Sequence, residues 1–221
     1  MVDPGAAPKI DRNDLRPISI SIVNRDGKGL ILKVPTAYLM DAKNLEGGKQ
    51  SSVVLGIRTF GGATQPFPKR SDLNNRNLAD PGAQYSVRIW LQMCCFTPEY
   101  MQKKIDTVSK SYDMKSSTEF GLDRLQKRLG PRYDAQGRLI ASSALADNDV
   151  YIAPSPVTDA SVYYTCTRPG EHSPPAYCSA EVVYRRHALT YTFPAGELPR
   201  WREIDGAVRV FLDSLVQEQL N

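Results

Sequence analysis

The stretch ISISIVNRDGKGLILKVP, residues 18–35, constrains the fold of this chain more than any other. Ile18, Ile20 and Ile22 alternate with Ser19 and Ser21. A period of two places successive side chains on opposite sides of an extended backbone, so this is a strand with one face buried and one face wet. Asp26-Gly27 then supplies the chemistry of a tight turn, and Leu30 to Val34 forms the returning strand. Pro35 ends it, because proline has no N–H to give to the ladder. The start of the chain is thereby committed to an antiparallel hairpin.

The same logic recurs downstream. Residues 51–60, SSVVLGIRTF, read as a third strand. In YSVRIWLQMCC, residues 85–95, Tyr85, Val87, Ile89, Leu91 and Met93 share one face, with Trp90 and Cys94 on the other. RYDAQGRLIASS reads as a small hairpin, and DVYIAP and SVYYTC as further strands. Residues 178–193 give two more, with RRHA as the bend between them. Helical spacing takes over in PEYMQKKIDTVSKSY, where Met101, Ile105 and Val108 recur every three or four residues behind a Thr97 cap and Pro98. A second short helix is expected through EFGLDRLQKRLG, closed by Gly130. At the C-terminus Trp201, Ile204, Val208, Phe211, Leu212 and Leu215 form one helical stripe, with Pro199 in the first turn and Glu203 and Asp205 on the solvated side. The expected class is α+β: a mainly antiparallel sheet with a central helical segment and a C-terminal amphipathic helix packed on the sheet. Residues 1–16 read as a flexible lead-in and 17–221 as one domain.

Composition narrows the function classes. The 28 basic and 24 acidic residues are interspersed and leave a net charge of +4, unlike the concentrated basic stripe of a nucleic-acid binder. No apolar run is long enough to span a bilayer as a helix. MVDPGAAPKIDRND lacks the apolar core of a signal peptide. It reads either as a cytosolic start or as an exported chain whose signal is gone.

Catalytic signatures are missing from the text. No Walker loop, dinucleotide fingerprint or Gly-x-Ser-x-Gly elbow occurs, and GGKQSSV at 47–53 lacks the ending of a phosphate loop. The two histidines, His172 and His187, have no metal-ligand spacing. The expectation is no metal, no cofactor and no enzymatic activity. The adjacent Cys94 and Cys95 point to opposite faces of a strand and read as packing rather than as a reactive dithiol.

Cys166 and Cys178 flank a segment rich in proline and charge, YYTCTRPGEHSPPAYCSAEVVYRR. The first ends one expected strand and the second begins the next, so antiparallel pairing brings them within reach of a disulfide if the register matches. The alternatives are a mixed metal site with His172 or two reduced thiols in a cytosolic hairpin. A disulfide requires an oxidising compartment, so the favoured location is the periplasm, with the cytoplasm as the alternative.

The order of cysteine, Pro-rich loop, cysteine and basic strand, followed by TYTFP and ELPRWREIDGAVRVFLDSL, resembles the C-terminal part of small exported proteobacterial proteins. LILKVPTAYL near the start is similar in kind. Some of those proteins are immunity proteins against type VI secretion effectors, lipases and phospholipases among them. The resemblance implies a periplasmic protein that binds a toxin and blocks its active site. Two polar loops are the candidate contact surfaces. The 61–84 loop carries Phe67, Lys69, Arg70, Asn74, Asn75 and Arg76, and the 167–177 loop carries Glu171 and His172. Phe67, between Pro66 and Pro68, reads either as an interface anchor or as a lid on the core. The basic run Arg124, Lys127, Arg128 and Arg132 reads as a complement to an acidic partner or as a solvated face. Two rivals remain: a domain binding a small ligand or envelope component in a concave pocket, and an enzyme centred on His187 beside Arg185 and Arg186.

Overall fold

The computed structural model describes residues 10–11, 13–60, 63–66, 85–94, 96–111, 114–129, 132–141, 144–154, 161–167 and 176–220. The chain is mostly antiparallel sheet with two α-helices among the described residues. It divides into two compact units, one formed by residues 1–96, 184–193 and 200–221, the other by residues 97–183 and 194–199.

In the first unit, β1 (Pro17–Val23) and β2 (Gly29–Pro35) form the hairpin expected from the alternating isoleucines, in register from Pro17–Pro35 to Val23–Gly29. Ile20 and Ile22 are buried, as are Leu30, Leu32 and Val34 opposite. Gly29 is required where β2 begins: an ideal Cβ there would lie 2.0 Å from the Ile22 carbonyl oxygen. Beyond β1 lies β3 (Gly48–Gln50), paired parallel to it. The next strands are β4 (Ser52–Phe60), β5 (Ala63–Pro66) and β6 (Tyr85–Cys94). β4 pairs with both β5 and β6. The inward rows Val53, Leu55, Ile57 and Val87, Ile89, Leu91 are fully buried. This pattern follows from the period-two text.

The second unit opens with α1 (Pro98–Ser111), where the Thr97 hydroxyl accepts the Tyr100 N–H at 3.2 Å, the capping bond its position predicts. Met101 and Ile105 are buried. There follow β7 (Met114–Glu119), β8 (Leu122–Leu129), the hairpin of β9 (Arg132–Tyr133) with β10 (Leu139–Ala141), β11 (Ala144–Pro154), β12 (Ser161–Thr167) and β13 (Tyr177–Tyr184). The larger sheet here runs β13-β12-β11-β8-β7, with antiparallel neighbours throughout.

In place of the helix expected over 119–130, residues 119–129 end β7, turn and form β8. Phe120 and Gly121, with φ of 55° and 75°, make the tight turn between β7 and β8. The inward row of β8 reads Leu122, Arg124, Gln126, so the apolar alternation that marks a strand is interrupted by side chains satisfied in other ways.

The first unit resumes with β14 (His187–Pro194), which pairs with the other side of β6. A 3-10 segment, Ala195–Arg200, of which all but Arg200 belongs to the second unit, contains Pro199, so this proline precedes the α-helix instead of sitting in its first turn. Then α2 (Trp201–Leu215) packs against β2 and buries all six residues of the expected stripe. The chain closes on β15 (Val216–Leu220), an antiparallel neighbour of β2.

Candidate partner-binding surface

The disulfide expected from spacing is present. Cys166 and Cys178 stand directly opposite each other across β12 and β13, and their sulfurs are bonded at 2.01 Å. Both are buried. On β11, Asp149 stands opposite Cys166 and is also buried. The Arg124 Nε donates to its carboxylate at 2.9 Å, and the Gln126 amide donates at 3.2 Å. Arg124 also donates to Glu119 at 2.7 Å. This first member of the expected basic run is thus held between two carboxylates of its own sheet. On the other side of β12, the Tyr163 hydroxyl donates to Glu181 at 2.6 Å, and Glu181 also accepts Lys104 from α1.

His187 is 1% exposed. Its Nδ1 lies 2.9 Å from the Arg185 carbonyl oxygen and its Nε2 lies 3.5 Å from that of Ile22. Burial lowers its pKa, with the two carbonyls opposing that shift. A ring in that setting, with each nitrogen beside a backbone carbonyl, braces the bend between β13 and β14. The bend itself is Arg185-Arg186, with φ of 45° and 66°. Arg185 is held by Asp213, which also accepts the Tyr184 hydroxyl at 2.7 Å. Beside the bend lies a shallow recess lined by Lys28, Gly29, Arg185, Arg186, His187, Gln219 and Leu220. Its lining is cationic and polar, not the apolar wall of a small-molecule pocket.

The outer face of the first unit's β4, β6 and β14 has a different character. Trp90, in the middle of β6, is 47% exposed, and Val54 and Thr190 flank it across the ladder. Arg88, one step along, is exposed and is flanked by Gly56 and Thr192. The next outward position on β4 is Arg58, whose buried Nε has no hydrogen-bond partner among the described residues. The alternation in YSVRIWLQ already placed Trp90 away from the core row, and a tryptophan on the wet side of a strand was the available signal for this face.

No family model and no curated protein matches the chain. A solved structure does. Smlt3025, an immunity protein of the Stenotrophomonas maltophilia type IV secretion system, superposes with a TM-score of 0.55 over 92% of this chain and 94% of that one, at 13% identity. The two share a fold. The Neisseria meningitidis iron-regulated outer membrane lipoprotein FrpD aligns over 96% of this chain and 99% of its own, with a TM-score of 0.45 and 10% identity.

Phe67, Lys69, Arg70, Asn74, Asn75, Arg76, Glu171 and His172, the contact residues expected from the sequence, lie outside the described residues. Among the described residues, no group of His, Cys, Asp or Glu is arranged to hold a metal ion, and no helix is long and apolar enough to cross a membrane.

Proposed function

We propose that this chain is a non-enzymatic periplasmic binding protein of the immunity type, which captures a toxic secreted effector and blocks its active site. The observation that carries the reading is the fold shared with Smlt3025 along nearly the whole of both chains. The Cys166–Cys178 disulfide supports an oxidising compartment. Bracing of His187 by carbonyls weighs against the rival in which that histidine is a catalytic base. The loops carrying Phe67, Lys69, Arg70, Asn74, Asn75 and Arg76, and carrying Glu171 and His172, belong to the proposal as contact elements. The sequence resemblance makes a type VI lipase or phospholipase effector the first partner to test.

The test is neutralisation. Cells exporting a candidate effector to the periplasm are supplied with this chain behind an export signal, and growth is followed. Purified effector is then assayed with and without equimolar protein. Restored growth, suppressed hydrolysis and a stoichiometric complex on size exclusion are the expected results. Should no toxic effector of the producing organism be bound or suppressed, the immunity reading is wrong.

A further inference from the structure

We propose that the outer face of β4, β6 and β14, centred on Trp90, is a docking surface for the effector in addition to the 61–84 and 167–177 loops, and that it meets an acidic patch there. This rests on the immunity reading above and assigns that reading a place on the molecule. The inward rows of these strands are buried and apolar, whereas the described outward positions hold one large aromatic side chain, Trp90, at the centre of β6. Half of Trp90 is in water, and the side chains flanking it, Val54 and Thr190, are short and β-branched. They form a stiff, shallow platform around the indole that loses little conformational entropy when covered. Tryptophan and arginine are the residues that most often carry interface energy, and Arg88 stands one step along the same face with the small Gly56 and Thr192 as its ladder neighbours.

Charge selects the occupant. The described outward positions of these strands hold two arginines, Arg58 and Arg88, and no carboxylate. Neither arginine has an ion pair among the described residues, unlike Arg124, Arg185 and Arg209, which are each held by an aspartate. The Arg58 Nε is withdrawn from water with no acceptor among the described residues, so the guanidinium has no counter-charge there, and a carboxylate at the face would provide that charge. A symmetric pairing with a second copy would set this positive face against itself, so an acidic partner is the occupant the charges favour.

The chain reports on this face unaided. It has two tryptophans, and Trp201 is 1% exposed. Acrylamide quenching of the accessible indole therefore reads Trp90. The experiment uses the effector that the wild-type protein neutralises and vesicles of phosphatidylglycerol as separate probes. With the effector, Trp90 should become protected from acrylamide. Trp90→Ala should weaken binding about 30-fold or more. Arg58→Glu with Arg88→Glu should slow association and flatten its dependence on ionic strength. Val210→Lys, at an exposed position on α2, should bind as wild type. If Trp90→Ala fails to fold, protection of the wild-type indole decides the matter.

Tight effector binding with Trp90 still fully quenchable overturns this assignment and leaves the immunity reading standing. Protection by vesicles but not by the effector overturns it in favour of a membrane surface. Absence of any neutralised effector removes the immunity reading and this assignment with it.

Discussion

Asp205 is 0% exposed on α2 and holds two partners there. The Tyr191 hydroxyl donates to one carboxylate oxygen at 2.9 Å, and the Arg209 Nε donates to the other at 2.8 Å. The spacing of four on the helix brings Arg209 into reach, and Tyr191 arrives from β14. Read as a sequence, this aspartate belongs with Glu203 on the wet side of the helix, yet only Glu203 is exposed. Burial of an ion pair brings little net stability, but removing one partner strands the other charge. Asp205→Ala is expected to destabilise the fold by about 3–5 kcal/mol in urea unfolding, and Tyr191→Phe by about 1 kcal/mol. A loss below 1 kcal/mol for Asp205→Ala would show that Arg209 finds relief elsewhere. His187 makes a second prediction at this scale. Burial lowers its folded pKa beneath the ordinary histidine value of 6.5. The unfolded chain therefore takes up a proton first as pH falls through that value, and stability must decline on acidification. His187→Asn keeps a donor near the Arg185 carbonyl without the titration. The melting temperature of this variant should fall less than that of the wild type between about pH 8 and pH 5; parallel declines would place the acid sensitivity in other groups.

At the scale of elements, the β13–β14 bend is the point where sequence and backbone disagree. Both central residues have positive φ, as a two-residue hairpin of type I′ demands, and such positions favour Asn-Gly. The chain has Arg-Arg. Arg185 gains an ion pair with Asp213, while Arg186 makes none among the described residues. Arg186→Gly should raise stability by about 1 kcal/mol, measured by chemical denaturation, because only the left-handed penalty is removed. A destabilised variant would mean that the Arg186 side chain holds the bend. Elements with one apolar row were legible in the text: the β1–β2 hairpin, the inward row of β6, the α2 stripe and the cysteine-bearing strands. β8 was not, since its inward Arg124 and Gln126 are satisfied by Asp149 from β11, a partner no local pattern announces. β15 was hidden for a related reason: VQEQL has helical composition, and its strand state comes from pairing with β2. The outer face of β6 was legible as a position but not as a site. Only the register with β4 and β14 shows which neighbours leave Trp90 and Arg88 uncovered.

For the whole molecule, the chain passes between its two compact units at residues 96–97, 183–184, 193–194 and 199–200. No single cut releases either unit as a continuous piece. We expect residues 17–221 to unfold as one cooperative domain, and the disulfide offers a way to test it. Cys166 and Cys178 belong to one unit and Trp201 to the other. Removing the bridge with Cys166→Ser and Cys178→Ser should cost about 3 kcal/mol in the chain-entropy account. For a chain of this length that corresponds to a fall of roughly 6–12 °C in melting temperature. With Trp90→Phe in the background, indole emission comes from Trp201 alone. Cooperative unfolding requires that emission and far-UV circular dichroism shift together by the same interval when the cysteines are lost. If the Trp201 transition stays in place while part of the dichroism melts earlier, the units unfold separately. The stabilisation by the bridge would then be confined to the strands it joins, and an effector-docking face on β6 would survive reduction.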